Sequence, residues 1–451
     1  MAVSRTRAAR TAAQRGFVLL AITSASFGFA LNAQQNIVTN YFKDVLGFSA
    51  PQFGYITAIR EIPGFLLIFL TALFFRLSLQ RLSTLALVLL SVGYICFGAS
   101  SSFWTVAPWV VLSSIGYHTF LQTQYALAMS LTTEARSGQI LGRMSAISQS
   151  GSLVALLFVA AAFQFGWLSF RPMFVVLGCA AFVGAVAVFF FPHLNDGKAG
   201  VFSGRRDPIV LRKEYKFYYL LNLLDGGRQQ VFFSFGLFVL VSRFALDVPQ
   251  VSLLLVAITF AGVLAGPRLG RMLDLHGERR MLGIVNVAYI VALSGYAFTD
   301  SLPVACVCYV IYTFILPISG MGAATYLRKV AVPDEVAPSL AMGVTMQHFA
   351  AIVVPVSAGV ILNYVGYQIP FMIACAFSFV NIFVTRRLDP VGQRSPAKVL
   401  ADNERLAAEA EADAAEASAV NQTAEDQPGA AAPVELPRGR TAAPTSSGGS
   451  D

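Results

Sequence analysis

Charged residues are scarce in this chain, and their scarcity defines the medium in which it folds. Only 12% of its 451 residues are Asp, Glu, Lys or Arg, whereas 56% are hydrophobic and 37 are Phe. A typical soluble domain has about 25% charged residues. The composition therefore excludes an ordinary soluble protein and predicts one that is embedded in a lipid bilayer.

Recognisable catalytic and metal-binding patterns are also missing. The five cysteines all lie in apolar runs, where small hydrophobic packing residues are expected. No spacing of His, Cys, Asp and Glu is typical of a metal site, and no Gly-rich loop with a Lys is present to bind phosphate. The sequence therefore predicts no cofactor, no metal and no enzymatic activity.

Long apolar runs, by contrast, recur through most of the chain. A helix needs about 20 apolar residues to cross a bilayer core of about 30 Å, whereas a barrel strand needs about ten in alternation. The runs are long and uniformly apolar, so we predict an all-α membrane protein with twelve transmembrane helices. These spans one to twelve cover roughly 17–41, 52–76, 83–101, 103–131, 139–164, 170–191, 216–242, 249–270, 281–299, 302–327, 340–364 and 368–387.

The basic residues predict the orientation of the spans, because Lys and Arg accumulate in cytoplasmic loops. With the N-terminus inside, the outer loops hold only Lys43, Arg171 and Arg243. Both termini are therefore predicted to be cytoplasmic, and this topology explains the net charge of +8 without a nucleic-acid partner. The first apolar run is too long for a cleavable signal peptide. The compact loops and the Ala- and Arg-rich composition suggest that the protein lies in a bacterial inner (plasma) membrane.

The apolar pattern occurs twice, at an offset of about 200 residues. Pro51-Gln52 at the start of span two matches Pro249-Gln250 at the start of span eight, and Gly166 before span six matches Gly366 before span twelve. Repeats of this kind build transporters that rock one half against the other. The predicted domains are a cytoplasmic N-terminus (1–16), an N-terminal six-helix bundle (17–191), a basic cytoplasmic linker (192–215), a C-terminal six-helix bundle (216–387) and a disordered acidic cytoplasmic tail (388–451).

The stretch GRMLDLHGERR, residues 270 to 280 between spans eight and nine, resembles the cytoplasmic loop signature of the major facilitator superfamily. The matching residues are Gly270, Asp274, Gly277, Arg279 and Arg280. Together with the twelve spans and the repeat, the resemblance covers residues 16 to 388. It implies a secondary transporter with two six-helix halves, in which Asp274 and Arg279 lock the cytoplasmic side of the outward-open state.

Two segments depart from the pattern of that family. The equivalent loop of the first half reads FRLSLQRLS, with Arg76 in place of the aspartate and Leu79 in place of the second glycine. A lock is therefore expected to be one-sided or to use different partners. Span five lacks the Gly-Pro pair that marks many proton-driven drug exporters of the family, which disfavours drug antiport.

Arg60 and Glu61 lie in the middle of span two, where each charge costs roughly 2.5–3.5 kcal/mol on insertion scales. Neighbouring helical residues point about 100° apart, so each is expected to have its own partner on another helix or on the substrate. Pro63 removes a helix amide beside the charges, and Gly64 leaves room for a helix or a ligand. Coupling to a substrate or ion, or an interhelical salt bridge, would explain the pair.

Span seven contains a second group of charges. Asp225 and Arg228 are three residues apart on one face and can pair with each other, and Gln229 lies one turn from Asp225. The pair is either a local way to bury two charges or a coupling site. The adjacent Gly226-Gly227 weakens the helix, as a gating segment would require.

Uncharged polar residues form stripes on two other spans. On span one, Asn32, Gln35 and Asn36 share a face, and span four adds His118 and Gln122 one turn apart. Amides of this kind can bond between helices. In the resembled family, however, spans one, four, seven and ten line the cavity, so we expect these stripes to line it here.

Span eleven carries His348, which could relay protons because imidazole titrates near neutral pH. A lone histidine near a helix start is more often a packed or capping residue. The tail from 401 onward is rich in Ala, Glu, Pro and Ser; residues 403–418 could form a transient helix without an apolar face, and the remainder is predicted to be disordered.

Together these patterns favour a monomeric, proton-coupled secondary transporter that moves a small polar or anionic organic solute across the lipid bilayer by alternating access. Arg60 is the candidate for binding an anionic group, because its guanidinium is a planar donor fork. Glu61 or Asp225 is the candidate proton carrier. Two alternatives stay open. One is an exporter of drugs or toxic compounds, and the other is a transporter-like sensor or assembly protein that does not transport.

Overall fold

The structure is a computed structural model that describes residues 2–66, 77–131, 137–192, 211–389 and 396–425. Helices make up nearly all of these residues. In chain order they are α1 (Ala2–Asn40), α2 (Ala50–Phe65), α3 (Leu79–Phe97), α4 (Phe103–Ser130), α5 (Ser137–Gln164), α6 (Phe170–Phe189), α7 (Lys216–Phe244), α8 (Val248–Phe298), α9 (Leu302–Val330), α10 (Pro333–Tyr364), α11 (Gln368–Arg386) and α12 (Pro396–Glu425).

Helix α8 contains two of the predicted spans. Gly277 has φ 75° and ψ 158°, which no helix residue adopts, and it divides α8 into a first arm (248–276) and a second arm (278–298). Only glycine takes such a φ without strain. Spans one to seven thus correspond to α1 to α7, spans eight and nine to the two arms, and spans ten to twelve to α9 to α11. The predicted all-α fold is confirmed.

Eight helical segments of the described chain are long and apolar enough to cross a membrane by length and composition. They lie in α1, α3, α5, α6, the second arm of α8, α9, α10 and α11. Helices α4 and α7 are long enough but carry too many polar side chains to meet this measure. For the other two predicted spans the measure covers only part of the length, because α2 is described to residue 66 and the apolar stretch assessed in the first arm of α8 is Val248–Gly262. Polar side chains therefore distinguish α4 and α7 from the other long helices that are fully described.

Equivalent helices of the two halves begin with the same local structure. The backbone N–H of Ser49 donates to Oε1 of Gln52 at 3.0 Å before α2, and that of Asp247 donates to Gln250 at 3.1 Å before α8. Such a side chain satisfies one free amide at the helix start. The turns before α6 and α11 each contain a glycine with positive φ, Gly166 at 66° and Gly366 at 111°.

Helices α2 and α10 form a close contact between the halves. A Cβ added to Gly54 would lie 2.2 Å from the carbonyl oxygen of Pro355, and one added to Gly359 would lie 2.7 Å from that of Ala50. Larger residues would force these backbones apart. A second contact between the halves joins α5 to α8. The approach of α2 to α10 brings the middle of span two against the second half.

The region of the predicted tail contains α12, which belongs to a separate unit. Residues 396–425 are helical, so the helix extends beyond the transient helix expected at 403–418 within the predicted tail. Ala and Glu have high helix propensity, and Arg405 pairs with Glu409 one turn away. Most of the predicted linker, 193–210, lies outside the described residues, as do 390–395 and 426–451.

Candidate functional site

A cavity of about 330 Å³ lies beside α2, with walls from α1, α2, α3, α4 and α10. Aromatic and aliphatic side chains form much of its lining. The polar groups that reach it include Gln35, Arg60, Glu61, His118, Gln122 and His348. A volume near 300 Å³ is at the small end of ligand-binding pockets. Five of these six residues are sequence candidates, so the structure brings five of the ten predicted substrate- or ion-binding residues together.

Arg60 and Glu61 bond to each other at the wall of this cavity. Nε and Nη2 of Arg60 donate to Oε1 of Glu61 at 3.1 and 2.9 Å. The prediction that each charge has its own partner elsewhere is therefore wrong for this oxygen, because the long arginine side chain folds back over its neighbour. The Glu61 side chain is 12% exposed and that of Arg60 is 40% exposed, so the guanidinium remains accessible from the cavity.

Two imidazoles face the other oxygen of Glu61. Oε2 is 3.4 Å from Nδ1 of His348 on α10 and 3.9 Å from Nε2 of His118 on α4. Gly64 makes room for both rings, because a Cβ there would lie 2.5 Å from Nε2 of His118 and 2.8 Å from Cε1 of His348. Sequence reasoning gave little weight to His348, whose position in span eleven shows nothing of its approach to span two.

Contacts with Ser114 fix the orientation of the His118 ring. Nδ1 of His118 lies 3.0 Å from the carbonyl oxygen of Ser114 and 3.0 Å from its Oγ. The hydroxyl donates its single proton to the backbone oxygen of Arg60. Both neighbours of Nδ1 therefore act as acceptors, which places a proton on Nδ1 and directs Nε2 towards Glu61.

The second charged group lies outside this cavity. Arg228 is fully buried; its Nη2 is 2.9 Å from Oδ1 of Asp225, and its Nη1 donates to Tyr312 at 2.6 Å. Its guanidinium carbon lies 3.5 Å from the ring centroid of Tyr289, and Asn381 donates to Asp225 at 3.0 Å. These contacts tie α7 to α8, α9 and α11. The geometry favours the structural interpretation of the pair.

Of the three polar residues on span one, one lines the cavity and two bond to other helices. Gln35 lines the cavity, as does Gln122 on α4. Asn32 donates to Oγ of Ser152 on α5 at 2.6 Å, and Asn36 donates to Oγ of Ser252 on α8 at 2.6 Å. These two asparagines therefore make interhelical bonds. Gln229 is half-buried on α7 and is not among the residues that line this cavity.

The predicted gating residues lie at the break in α8. Gly270 is within the helix, Gly277 forms the break, and the side chains of Asp274, Arg279 and Arg280 are exposed. A half-buried ion pair lies beside them instead: Nζ of Lys329 on α9 is 2.7 Å from Oε2 of Glu278, whose side chain is 3% exposed, whereas the lysine side chain is exposed. Sequence reasoning missed this pair, because Glu278 falls within the loop motif but is not one of its matching residues.

A second unpredicted contact joins the end of the linker to α10. Tyr215 is fully buried, and its hydroxyl donates to Oε2 of Glu335 at 2.6 Å. Arg212 pairs with Oε1 of the same carboxylate. Burial raises the pKa of Tyr215 above its ordinary value, and the hydrogen bond to Glu335 raises it further by a smaller amount. Residues 211–215 are thus held against the start of α10.

Comparison with known proteins agrees with this architecture. The sequence profile of the Major Facilitator Superfamily matches residues 18–241 and again residues 217–424. No curated protein sequence matches the chain. Among solved structures, the nucleoside transporter NupG aligns with a TM-score of 0.68 at 14% identity, covering 83% of this chain and 98% of that one.

Two further solved structures share the fold. A bacterial homolog of the human lysosomal transporter Spinster, in an inward-facing and occupied conformation, has a TM-score of 0.65 at 15% identity, covering 85% of this chain and 99% of that one. The human organic anion transporter MFSD10 (TETRAN) has a TM-score of 0.55 at 12% identity, covering 83% and 99%. Such low identities show the fold alone. The double profile match covers both halves, and the chain belongs to the major facilitator superfamily of transporters.

Proposed function

We propose that this transporter carries a small organic anion together with protons, and that Arg60 binds the anion. The observation that supports this proposal is the exposure of Arg60 to the cavity while its Nε and Nη2 bond to Glu61. A guanidinium has five N–H donors, so others remain for a carboxylate or phosphate group of the solute. The cavity of about 330 Å³ limits that solute to a small molecule.

Glu61 is the proposed proton carrier. As a carboxylate it competes with the solute for Arg60, whereas protonation removes the charge that holds the guanidinium. A proton on Glu61 therefore frees Arg60 for the anion. His118 and His348 face the second oxygen of Glu61, and each ring has a nitrogen that can accept a proton from this carboxyl or donate one to it.

Contact with the second half gives this protonation a route to conformational change. Glu61 lies on α2 of the first half, and His348 lies on α10 of the second half. Transporters with two repeated halves alternate access by moving one half against the other around a shared site. A change of charge on Glu61 alters an interaction between the halves, which is what coupling requires.

The substrate class is tested by thermal unfolding of the full chain in detergent. The probes are monocarboxylates, dicarboxylates, nucleosides and lipophilic cations, each applied to the wild type, to Arg60→Gln and to Arg243→Gln. A ligand at a hundredfold excess over its Kd stabilises by about 2.7 kcal/mol. Arg243 is the matched control, because it pairs with Asp300 outside the cavity.

An anion should stabilise the wild type and the control but not Arg60→Gln. If the response to anions is unchanged in Arg60→Gln, the proposed role of Arg60 is wrong. Stabilisation by lipophilic cations alone would instead favour an exporter of toxic compounds, and a response to nucleosides alone would favour a neutral solute.

Proton coupling is tested in proteoliposomes with the anion that the thermal panel identifies. An inward proton gradient should drive uptake by the wild type. Glu61→Gln should lose gradient-driven uptake yet still exchange labelled for unlabelled anion, because the neutral amide leaves Arg60 free. Equal gradient-driven uptake by the wild type and the variant would exclude Glu61 as the carrier.

We also propose that the protein works as a monomer in a bacterial inner membrane with both termini in the cytoplasm. The distribution of Lys and Arg between alternate loops supports this orientation. Labelling of single cysteines at Lys43 and Arg279 tests it in intact cells. An impermeant thiol reagent should label position 43 and not position 279, and the reverse pattern would invert the topology.

A further inference from the structure

We propose that Glu61, His118 and His348 form a binding site for a divalent transition-metal ion, with Zn²⁺ as the natural probe. One ligand atom from each residue lies within 4.8 Å of the other two. The three residues come from α2, α4 and α10 and are far apart in the chain, which is why the sequence shows no metal-ligand spacing. The proposal does not depend on which solute is transported, and an ion bound at Glu61 would exclude a proton from the same carboxylate.

The separations of the ligand atoms fit a shared ion with small side-chain movements. Zn²⁺ bonds to imidazole nitrogen and carboxylate oxygen are about 2.0–2.2 Å long, so tetrahedral ligands lie about 3.3–3.5 Å apart. Oε2 of Glu61 is 3.4 Å from Nδ1 of His348 and 3.9 Å from Nε2 of His118. Both imidazoles are thus close to the distance that a bridging ion imposes.

The protonation of His118 supplies a second, independent argument. Its Nδ1 carries the proton, because both of its acceptors belong to Ser114. In a neutral ring, the lone pair of Nε2 then points at a carboxylate oxygen, which is unfavourable unless a cation lies between them. Metal-binding histidines usually have this arrangement, in which the other ring N–H bonds to a backbone carbonyl and fixes the ring.

The surroundings leave one coordination position free. Arg60 bonds to Oε1 of Glu61, so Oε2 is available to the ion. Gly64 presents no Cβ to the paired rings, and His348 lines the cavity. Three protein ligands with a fourth position open to a cavity are typical of accessible zinc sites. The nearby positive charge of Arg60 repels the ion and should weaken its binding. Removal of this charge is therefore expected to raise the affinity for the metal.

The test is isothermal titration of the full, untagged chain in detergent with ZnCl₂ at neutral pH. We expect one equivalent to bind to the wild type. His348→Asn, His118→Asn and Glu61→Gln should each weaken binding by more than the factor of about 10–100 that is typical of losing an outer-shell partner. Arg60→Gln should bind Zn²⁺ more tightly than the wild type, because a like charge is removed.

His276→Asn is the matched control, because His276 is an exposed histidine outside the cluster. Its Zn²⁺ affinity should equal that of the wild type. Binding by the wild type should also weaken as the pH falls, since the imidazoles must be neutral to bind metal. The unfolding temperature of each variant without metal verifies that it is folded. If His118→Asn does not fold, His348→Asn serves alone, because the His348 side chain is 23% exposed.

The metal site is overturned if the wild type binds no equivalent of Zn²⁺, or if His348→Asn binds it as tightly as the wild type. A loss of binding confined to His276→Asn would place the ion elsewhere and would overturn the proposal as well. Anion stabilisation that depends on Arg60 is measured without metal, so that response can succeed or fail independently of the zinc titration.

Discussion

Oε2 of Glu61 lies 3.4 Å from Nδ1 of His348, although the two residues belong to different halves of the repeat. Their contact exists because α2 and α10 touch through their backbones at Gly54 and Gly359. The polar chemistry of the cavity is therefore shared between the halves. A motion that separates α2 from α10 must also separate the carboxylate from the imidazole.

Gly64→Ala should destabilise the protein by about 1–3 kcal/mol, the usual cost of overpacking. The added Cβ would meet the rings of His118 and His348 at 2.5 and 2.8 Å. The measurement is the midpoint of unfolding in denaturant. Gly320→Ala is the control, because nothing lies within 4 Å of a Cβ at that position of α9. It should be neutral or stabilising by up to about 1 kcal/mol. Equal midpoints for the two variants would contradict the close packing at Gly64.

Arg228→Met should destabilise by about 3–5 kcal/mol, because it leaves the buried carboxylate of Asp225 without its cation. The double variant Asp225→Asn/Arg228→Met should recover part of this loss. Denaturant unfolding of all three proteins measures the coupling. Arg243→Met breaks the exposed pair with Asp300 and should cost at most about 1 kcal/mol. A similar cost at both arginines would show that burial of Arg228 has no energetic consequence.

Lys329→Met should destabilise by about 1–3 kcal/mol, the cost of leaving a buried polar group unsatisfied. Glu278 is the group affected, since its side chain is 3% exposed and bonds to Lys329. Arg279→Gln changes an exposed side chain of the same loop and should stay within about 0.5 kcal/mol of the wild type. Unfolding midpoints compare the two. A larger effect at Arg279 than at Lys329 would contradict the importance assigned to the pair of Lys329 and Glu278.

Tyr215→Phe should reduce the dependence of stability on alkaline pH. Burial and the bond to Glu335 raise the pKa of Tyr215 above 10.0, so the folded state retains the phenolic proton more tightly than the unfolded state does. Its stabilising effect is complete below pH 10 and is lost as the pH rises through the folded pKa. Unfolding temperatures from pH 8 to pH 11 should fall less steeply in the variant. At pH 8 the variant should lose about 0.5–1.5 kcal/mol with the hydrogen bond. Identical slopes would exclude this titration.

Sequence patterns predicted the fold well because each span is decided locally, by about 20 apolar residues and the polar groups that end them. The local pair of Asp225 and Arg228 was also readable, since i,i+3 neighbours share a helix face. Contacts between distant spans could not be predicted from the sequence. Nothing in the sequence shows that His348 reaches Glu61, that Tyr289 covers Arg228, or that Asn36 bonds to α8 rather than lining the cavity.

Arg60 shows a different limit of sequence reasoning. The angle between neighbouring helical residues predicted separate partners, but that angle applies to Cβ directions and not to the ends of long side chains. The guanidinium folds back to Glu61 and still lines the cavity. The 100° rule therefore failed here because the arginine side chain is long enough to reach its neighbour in the chain.

The uneven distribution of polarity among the helices has a consequence for biosynthesis. Helices α4 and α7 are long enough to cross a membrane, but their composition is less apolar than that of α1, α3, α5 and α6. In the first half, α4 emerges from the ribosome between α3 and α5, which can retain it in the bilayer. Helix α7 opens the second half and follows the basic linker, so its stable insertion depends on the apolar segments that are synthesised after it.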